Sequence, residues 1–194
     1  MSQSASGYDR IEGDRYYTPW WCTMALLEAE RFDGGIWDPA AGAGDIVKVA
    51  ATRGHAYGTD IDPDGDNIGR ADFFGCNVPV SADLINIITN PAYGKGGRLA
   101  VRFIEHALLL TERTGGKVAM LLRVDFDSAN GRRALFGDHP AFAAKHVLTK
   151  RVRWSNLPQK SSGPTENHAW YVWDWKKRRG TAPTIGYLPL AEAA

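Results

Sequence analysis

The chain of 194 residues is 44% hydrophobic and 23% charged, and its formal net charge is +1. This length suits one compact domain with a sizeable core, and the balanced charge by itself predicts no acidic partner. Neither an apolar run long enough to span a bilayer nor a secretory signal pattern is visible, so we expect no membrane partner and a cytoplasmic location.

Cysteine and histidine usage argues against a disulfide framework and against a metal site. The two cysteines, Cys22 and Cys76, lack any zinc-type pairing, and we expect both to be reduced and to lie in or near the core. The five histidines are scattered without the spacing of metal ligands. No metal is therefore expected.

The first predicted helix begins within the tripeptide Tyr-Thr-Pro at residues 17–19. Threonine is a favoured N-cap and proline a favoured first helical residue, so we expect Thr18 to cap a helix that starts at Pro19. Its apolar stripe, at helical spacing, consists of Trp20, Met24 and Leu27. The simplest interpretation is a packing helix with a good cap.

A short strand, a loop of small residues and a helix come next. Residues 36–38 predict the strand, residues 39–45 have the sequence Pro-Ala-Ala-Gly-Ala-Gly-Asp, and the helix is expected from Ile46 to about Arg53. Glycines in such a loop let the backbone approach a ligand, and the helix N-terminus offers N–H groups to an anion. A Gly-x-Gly pattern alone is weak evidence for a ligand.

Two acids stand where a nucleotide-type ligand would need them. Asp60 ends the next predicted strand, residues 56–60, about twenty residues after the glycines, where doubly wound folds place a carboxylate for ribose hydroxyls. Asp72 and Phe73 offer an acceptor for an adenine amino group and a ring to pack on its face. Surface acids and a core ring would explain these residues as well. The neighbouring acids that we interpret as surface turn acids are Asp62, Asp64 and Asp66.

The apolar run at residues 84–88 predicts a buried strand that ends at an Asn-Pro pair. Open α/β sheets bind ligands outside the carboxyl ends of their strands, which is where this strand places the motif Asn-Pro-Ala-Tyr. The Asn90 Oδ1 atom and the Pro91 carbonyl are acceptors, and Tyr93 offers a flat face. The motif could therefore hold a planar group that carries an NH2, although an ordinary turn closing a strand is the alternative.

The remaining predicted elements continue the alternation of strands and helices. They are helices over residues 99–110 and 129–136, and strands over residues 117–122, 146–152 and 168–175. This order favours a mostly parallel sheet with right-handed crossovers.

In this order, the motifs resemble those of S-adenosylmethionine-dependent amino-group DNA methyltransferases that act on adenine N6, in particular small phage- and prophage-type members. The motifs are Tyr-Thr-Pro, Asp-Pro-Ala-Ala-Gly-Ala-Gly, Gly-Thr-Asp-Ile-Asp, Asp-Phe and Asn-Pro-Ala-Tyr, within residues 16–123, and a weaker similarity covers residues 169–173. The resemblance implies the α/β, Rossmann-like class I methyltransferase fold, with a mostly parallel sheet, an antiparallel C-terminal strand and helices on both faces. We expect a flexible segment at residues 1–15 and a single methyltransferase domain at residues 16–194, without a separate target-recognition domain.

The resemblance implies S-adenosyl-L-methionine as the cofactor and gives roles to individual residues. The positions that match the methionine end of the cofactor site are Thr18, Pro19, Asp38, Ala40, Gly42 and Gly44. Those that match the contacts to ribose and adenine are Asp60, Ile61, Asp72 and Phe73. Those that match the catalytic motif are Asn90, Pro91 and Tyr93.

One position departs from the family pattern, which is usually Asn-Pro-Pro-Tyr: Ala92 replaces the second proline. This change relaxes the loop by up to about 1 kcal/mol of unfolded-state entropy but keeps the groups expected to do chemistry, so we expect activity. Asn90 Oδ1 and the Pro91 carbonyl would accept the two hydrogens of an exocyclic amino group. A base in duplex DNA would have to be flipped out, with Tyr93 stacking on it.

The substrate is the least constrained part of this prediction. Near-identical motifs serve enzymes that methylate RNA bases or protein glutamine, and a catalytically inactive nucleic-acid-binding module of the same fold is a further alternative. Specificity would come from the loop at residues 155–167 and from residues before Tyr16. The basic residues that favour DNA as the partner, with a solvated basic rim as the alternative, are Lys150, Arg151, Arg153, Lys160 and residues 176–179.

Overall fold

The structure, a computed structural model, describes residues 14–77, 84–157 and 164–189. Within these ranges the helices are α1 (Trp20–Ala29), α2 (Asp45–Ala50) and α3 (Arg98–Glu112). The strands are β1 (Gly35–Asp38), β2 (Ala56–Asp60), β3 (Gly69–Arg70), β4 (Ile85–Thr89), β5 (Lys117–Arg123), β6 (Phe142–Leu148), β7 (His168–Asp174) and β8 (Thr184–Leu188). Short 3-10 turns include Phe73–Gly75, Lys95–Gly97, Phe126–Ser128 and Asn130–Leu135.

These strands form one sheet in the order β3-β2-β1-β4-β5-β7-β6-β8. Strand β7 runs antiparallel to its neighbours β5 and β6, whereas the other neighbouring pairs are parallel. The prediction of a mostly parallel sheet with an antiparallel C-terminal strand is confirmed. Strands β2 and β4 lie on opposite sides of β1, so the strand order reverses there and a crevice forms at the carboxyl ends of these strands.

Helices cover both faces of the sheet, as predicted. Along β4 and β5 the side chains point alternately to the two faces. Ile87 and Val118 pack in the hydrophobic cluster that includes α3, whereas Ile88 and Ala119 pack in the cluster that includes α1 and α2. Burial on both faces explains why these strands are continuous apolar runs in the sequence.

Strand β7 places three large aromatic side chains in the core. Trp170, Tyr171 and Trp173 are fully buried. Each donates a hydrogen bond to a main-chain carbonyl, at 2.8, 2.9 and 2.7 Å respectively, and the acceptors are Cys22, Val124 and Leu135. Burying these rings is favourable because their polar atoms keep partners.

The first helix differs from its prediction at its start. Pro19 is the N-cap residue of α1 and makes no side-chain cap. Thr18 does not cap the helix, because its hydroxyl accepts a hydrogen bond from the Asn90 Nδ2 atom at 3.2 Å. Trp20 is 46% exposed, so its predicted place in the apolar stripe is wrong. The buried face of α1 includes Cys22, Ala25, Leu26 and Leu27.

Other element boundaries shift as well. Helix α2 ends at Ala50 rather than near Arg53, and the helix predicted at residues 129–136 is a 3-10 turn. Strand β6 spans Phe142–Leu148, whereas the predicted strand spans residues 146–152. Every second residue of β6 is buried. Strand β8 has no counterpart among the predicted strands because a glycine interrupts it and prolines flank it.

Cys22 is buried and Cys76 is half-buried, and both are free thiols, as predicted.

No helix in the described ranges is long and apolar enough to cross a bilayer. Residues 1–13 of the predicted flexible segment, Lys160 of the predicted basic residues and residues 158–163 of the predicted specificity loop lie outside the described residues.

Asn86 joins three segments at the amino ends of the central strands. Its Nδ2 atom donates to the carbonyls of Asp33 at 2.6 Å and Gly35 at 3.2 Å, and its Oδ1 atom accepts from the Lys117 N–H at 2.9 Å. The residue is 1% exposed, so water does not replace these bonds easily.

Replacing Asn86 with alanine should lower the free energy of unfolding by about 2–4 kcal/mol, because a buried side chain loses its three hydrogen bonds to the backbone. Urea unfolding followed by circular dichroism measures the change. The control variant Asn67→Ala, at an exposed position, should stay within about 0.5 kcal/mol of wild type. An Asn86→Ala variant as stable as this control would contradict the structural role of Asn86.

Candidate active site

A cavity of about 480 Å³ opens at the carboxyl ends of β1, β2 and β4. Nine of the thirteen predicted site residues line it, namely Thr18, Asp38, Ala40, Gly42, Asp60, Ile61, Asp72, Phe73 and Asn90. The other four, Pro19, Gly44, Pro91 and Tyr93, lie outside its lining. The cavity therefore brings together most of the residues that the sequence places on five separate motifs.

Asp60 links the loops that follow β1 and β2. Its Oδ2 atom accepts from the Gly42 N–H at 2.8 Å, and its Oδ1 atom accepts from the Asp62 N–H at 2.9 Å. Gly42 has a φ of +50°, a conformation that favours glycine. Each carboxylate oxygen keeps further acceptor capacity, so Asp60 can also bind a ligand's hydroxyl groups.

Close packing behind the loop after β1 explains two nearby glycines. A Cβ atom on Gly58 would lie 2.7 Å from the Ala41 Cβ atom and 2.8 Å from the Val47 Cγ2 atom. Gly44 is the N-cap residue of α2, with a φ of +82°. Both positions therefore favour glycine, next to the loop that lines the cavity.

Asp38 ends β1 and is buried in the cavity wall. It is 1% exposed, and its Oδ1 atom accepts from the Ala40 N–H at 3.1 Å. Burial disfavours the charged carboxylate and raises the pKa of Asp38 to about 7. A cationic group of a ligand would favour the charged form and so bind well here.

The Asn90 side chain is held in one orientation. Its Nδ2 atom donates to the Tyr16 carbonyl at 3.1 Å and to the Thr18 hydroxyl at 3.2 Å. Asn90 lines the cavity, and with both N–H groups engaged its side chain keeps the Oδ1 atom as an acceptor.

Pro91 is buried and Tyr93 is half-buried beside the same cavity. The Tyr93 hydroxyl accepts a hydrogen bond from the Arg123 N–H at 2.7 Å, and its ring meets Phe126 edge to face at 6.0 Å between centroids. These contacts fix the tyrosine ring at the end of β5.

Phe73 belongs to the hydrophobic core and also lines the cavity. It is 3% exposed and stacks on Phe103 with 5.1 Å between ring centroids, yet it also lines the cavity. Asp72 is exposed and accepts from the Phe74 N–H at 3.0 Å. Arg102, which sequence reasoning missed, lines the cavity with its guanidinium 4.2 Å from the centre of the Phe74 ring.

Residues 14–18 form a segment across the cavity that we call the N-terminal strap, and sequence reasoning missed most of it. Asp14, Arg15, Tyr16 and Thr18 line the cavity. The Asp14 carboxylate accepts from the backbone N–H groups that follow Ala92, at 3.1 and 2.8 Å. An Asp-Arg pair directly before Tyr-Tyr-Thr-Pro is the sequence signal that could have revealed it.

The acidic loop after β2 anchors the other side of the strap. Arg15 forms ion pairs with Asp62 and with Asp64, the latter at 3.1 Å. The Tyr17 hydroxyl donates to Asp64 at 2.9 Å. These acids are exposed, as predicted for surface turns, but they also tie the strap to the loop.

The predicted basic residues differ in their surroundings. Arg151 donates to the Asn167 side chain at 3.1 Å and to the Pro164 carbonyl at 3.3 Å, so its guanidinium is engaged within the chain. The Lys150 ammonium lies 5.6 Å from the centre of the Trp21 ring. Among the described residues, no group of three or more His, Cys, Asp or Glu could hold a metal ion.

The sequence matches no family model and no curated protein. The structure resembles the modification subunit of a candidate type I restriction enzyme from Vibrio vulnificus, with a TM-score of 0.56 and 14% identity over 93% of this chain. The chain spans 48% of that subunit, about half its length.

Two smaller proteins are also similar. A candidate RNA methyltransferase from Pyrococcus horikoshii has a TM-score of 0.57 and 14% identity, covering 87% of this chain and 88% of that one. A candidate class I S-adenosylmethionine-dependent methyltransferase from Listeria monocytogenes has a TM-score of 0.55 and 14% identity, and the match covers 94% of this chain and 68% of that one. The chain has the Rossmann-like class I methyltransferase fold, as predicted.

Replacing Asp38 with asparagine should remove a pH dependence of stability. The carboxyl pKa is raised from 3.8 to about 7 on folding, so between these values the folded state binds more protons. Asp38 therefore stabilises the fold at low pH and loses this contribution as the pH rises, by at most about 1.4 kcal/mol per pH unit. Relative to wild type, Asp38→Asn should gain stability as the pH rises through this range.

Urea unfolding of both proteins between about pH 4 and pH 8 measures this difference. His168 changes the pH dependence of stability in the opposite direction to Asp38, because burial lowers the pKa of His168 to about 4. Its stabilising contribution is lost as the pH falls, and it cancels when the two proteins are compared at each pH. A difference that is constant with pH would show that Asp38 is already charged throughout.

Proposed function

We propose that the chain is an S-adenosylmethionine-dependent methyltransferase that transfers a methyl group to an exocyclic amino group, adenine N6 in DNA. The observation that carries the proposal is the Asn90 side chain, which lines the cavity and whose two N–H donors are engaged, so that its Oδ1 atom is the group left to accept a hydrogen bond. The class I methyltransferase fold supports S-adenosyl-L-methionine as the cofactor.

The residues around the cavity fit this cofactor. Asp60 would accept from the ribose hydroxyls, and Ile61, which is 67% exposed, would cover the adenine ring. Asp72 would accept from the adenine amino group while Phe73 packs on the ring. When bound, the cofactor supplies a methyl group that is electrophilic because it is attached to a sulfonium.

The methionine end would lie near the loop after β1. The buried Asp38, with its raised pKa, would become fully charged opposite the ammonium group of the cofactor. Ala40 and Gly42 would complete this end of the site. Pro19 and Gly44 would contribute indirectly, because they start α1 and α2.

Catalysis would depend on positioning. An exocyclic amino nitrogen is a poor nucleophile because its lone pair is delocalised into the ring. Asn90 Oδ1 and the Pro91 carbonyl would accept its two hydrogens and direct the lone pair toward the methyl group. Tyr93 would stack on the flipped base, a contact worth about 1–3 kcal/mol.

DNA is the favoured substrate because a modification subunit of a restriction enzyme is among the similar structures. RNA is the second candidate, since the similar protein from Pyrococcus horikoshii is named as an RNA methyltransferase. Protein glutamine presents the same two amide hydrogens. A catalytically inactive nucleic-acid-binding module is the interpretation that would remain if Ala92 abolishes transfer.

Transfer of labelled methyl from S-adenosylmethionine to unmethylated DNA tests the proposal directly. RNA and protein are assayed in parallel, and digestion to nucleosides identifies the product. We expect N6-methyladenine in DNA. Label in RNA or protein would keep the chemistry and change the substrate, whereas cofactor binding without transfer would favour the inactive module.

The Asn90→Ala variant should reduce kcat at least about 100-fold, because the acceptor for the amino group is lost. The Kd for S-adenosylmethionine, measured by calorimetry, should stay within about threefold of wild type. Loss of cofactor binding together with turnover would contradict the division of roles proposed for the cavity.

A further inference from the structure

We propose that the N-terminal strap sets the position of the reacting groups, with Thr18 and Asp14 as positioning residues for the motif at residues 90–93. This inference rests on the proposed function, but it concerns residues with a different role. The resemblance to methyltransferases matches Thr18 to cofactor binding, whereas its hydroxyl is bonded to Asn90. Asp14 has no role in that resemblance.

The strap determines which way the Asn90 amide faces. The Tyr16 carbonyl accepts from the Asn90 Nδ2 atom at 3.1 Å, and a carbonyl can only accept. Turning the amide over would bring two oxygen atoms together, so the Oδ1 atom is kept away from the strap. Thr18 is 5% exposed and supplies the second acceptor, which holds the amide against rotation.

Asp14 fixes the backbone of the same motif. Its Oδ2 atom accepts from two successive N–H groups, Tyr93 at 3.1 Å and Gly94 at 2.8 Å. Asp14 has a φ of +54°, the only non-glycine residue of the described ranges with a positive φ. This left-handed backbone conformation is uncommon for a residue other than glycine, and the contacts of Asp14 with the motif help to maintain it.

The strap is itself fixed on a second side. Arg15 and Tyr17 bind the acidic loop after β2, as described above. Asn156 accepts from the Tyr17 N–H at 3.1 Å and donates to the Arg15 carbonyl at 2.7 Å. The strap therefore spans from the loop that follows Asp60 to the motif that begins with Asn90. Its position couples the two halves of the cavity.

Thr18→Val and Thr18→Ser form the matched pair for the test. Valine has the same shape without the hydroxyl, and we expect kcat to fall at least about 10-fold while the Kd for S-adenosylmethionine changes less than about threefold. Serine keeps the hydroxyl and should recover most of kcat. A Thr18→Val variant that raises the Kd and leaves kcat unchanged would overturn the proposal in favour of a cofactor role.

A double-mutant cycle adds a readout that a merely structural role would not give. If Thr18 acts through Asn90, Thr18→Val should have no further effect on kcat in the Asn90→Ala background. Additive losses would overturn the proposal. Because Thr18 is buried and its variant can fail to fold, Asp14→Ala is the second variant, compared with Asp14→Asn, which keeps an acceptor oxygen.

Nuclear magnetic resonance separates failure of this proposal from failure of the proposed function. In ¹⁵N-labelled protein, Asp14→Ala should speed hydrogen exchange at the Tyr93 and Gly94 amides, and Thr18→Val should shift the Asn90 side-chain amide resonances. These shifts are expected even if the wild type methylates none of the substrates. Unchanged resonances and unchanged exchange in both variants would overturn the positioning role.

Discussion

The parallel pairing of β1 with β4 is the constraint on which the site depends. Their register, with Ile36 opposite Asn86 and Trp37 opposite Ile87, brings both strands to their carboxyl ends at nearly the same level. Asp38 therefore ends one strand within reach of the segment that follows the other, which begins with Asn90. Because β2 and β4 leave β1 on opposite sides, loops from both halves of the sheet meet over this edge.

Backbone groups orient most of the polar side chains in the cavity. N–H groups hold Asp38, Asp60, Asp72 and Asp14, and a carbonyl holds Asn90. Such hydrogen bonds depend more on the conformation of the backbone than on the identity of the surrounding side chains.

Much of the fold could be predicted because short stretches of the sequence indicate the individual strands and the ends of those strands. Strands β1, β2, β4, β5 and β7 are short apolar or aromatic runs that end at distinctive residues, and parallel topology then places their motifs at one edge. The capping role of Thr18 failed because a hydrogen bond to a residue 72 positions away replaced a local one. Arg102 and the strap depend in the same way on tertiary contacts, which local patterns do not contain.

The sequence separations of the strap's contacts have a consequence for folding. Arg15 meets Asp64 across 49 positions, Asp14 meets Gly94 across 80, and Asn156 meets Arg15 across 141. Closing such long loops costs entropy, which only the assembled sheet can offset. The strap has all these partners only once residue 156 has been synthesised. The strap can therefore dock only once the sheet has formed, so an intermediate with a formed sheet would still lack a finished site.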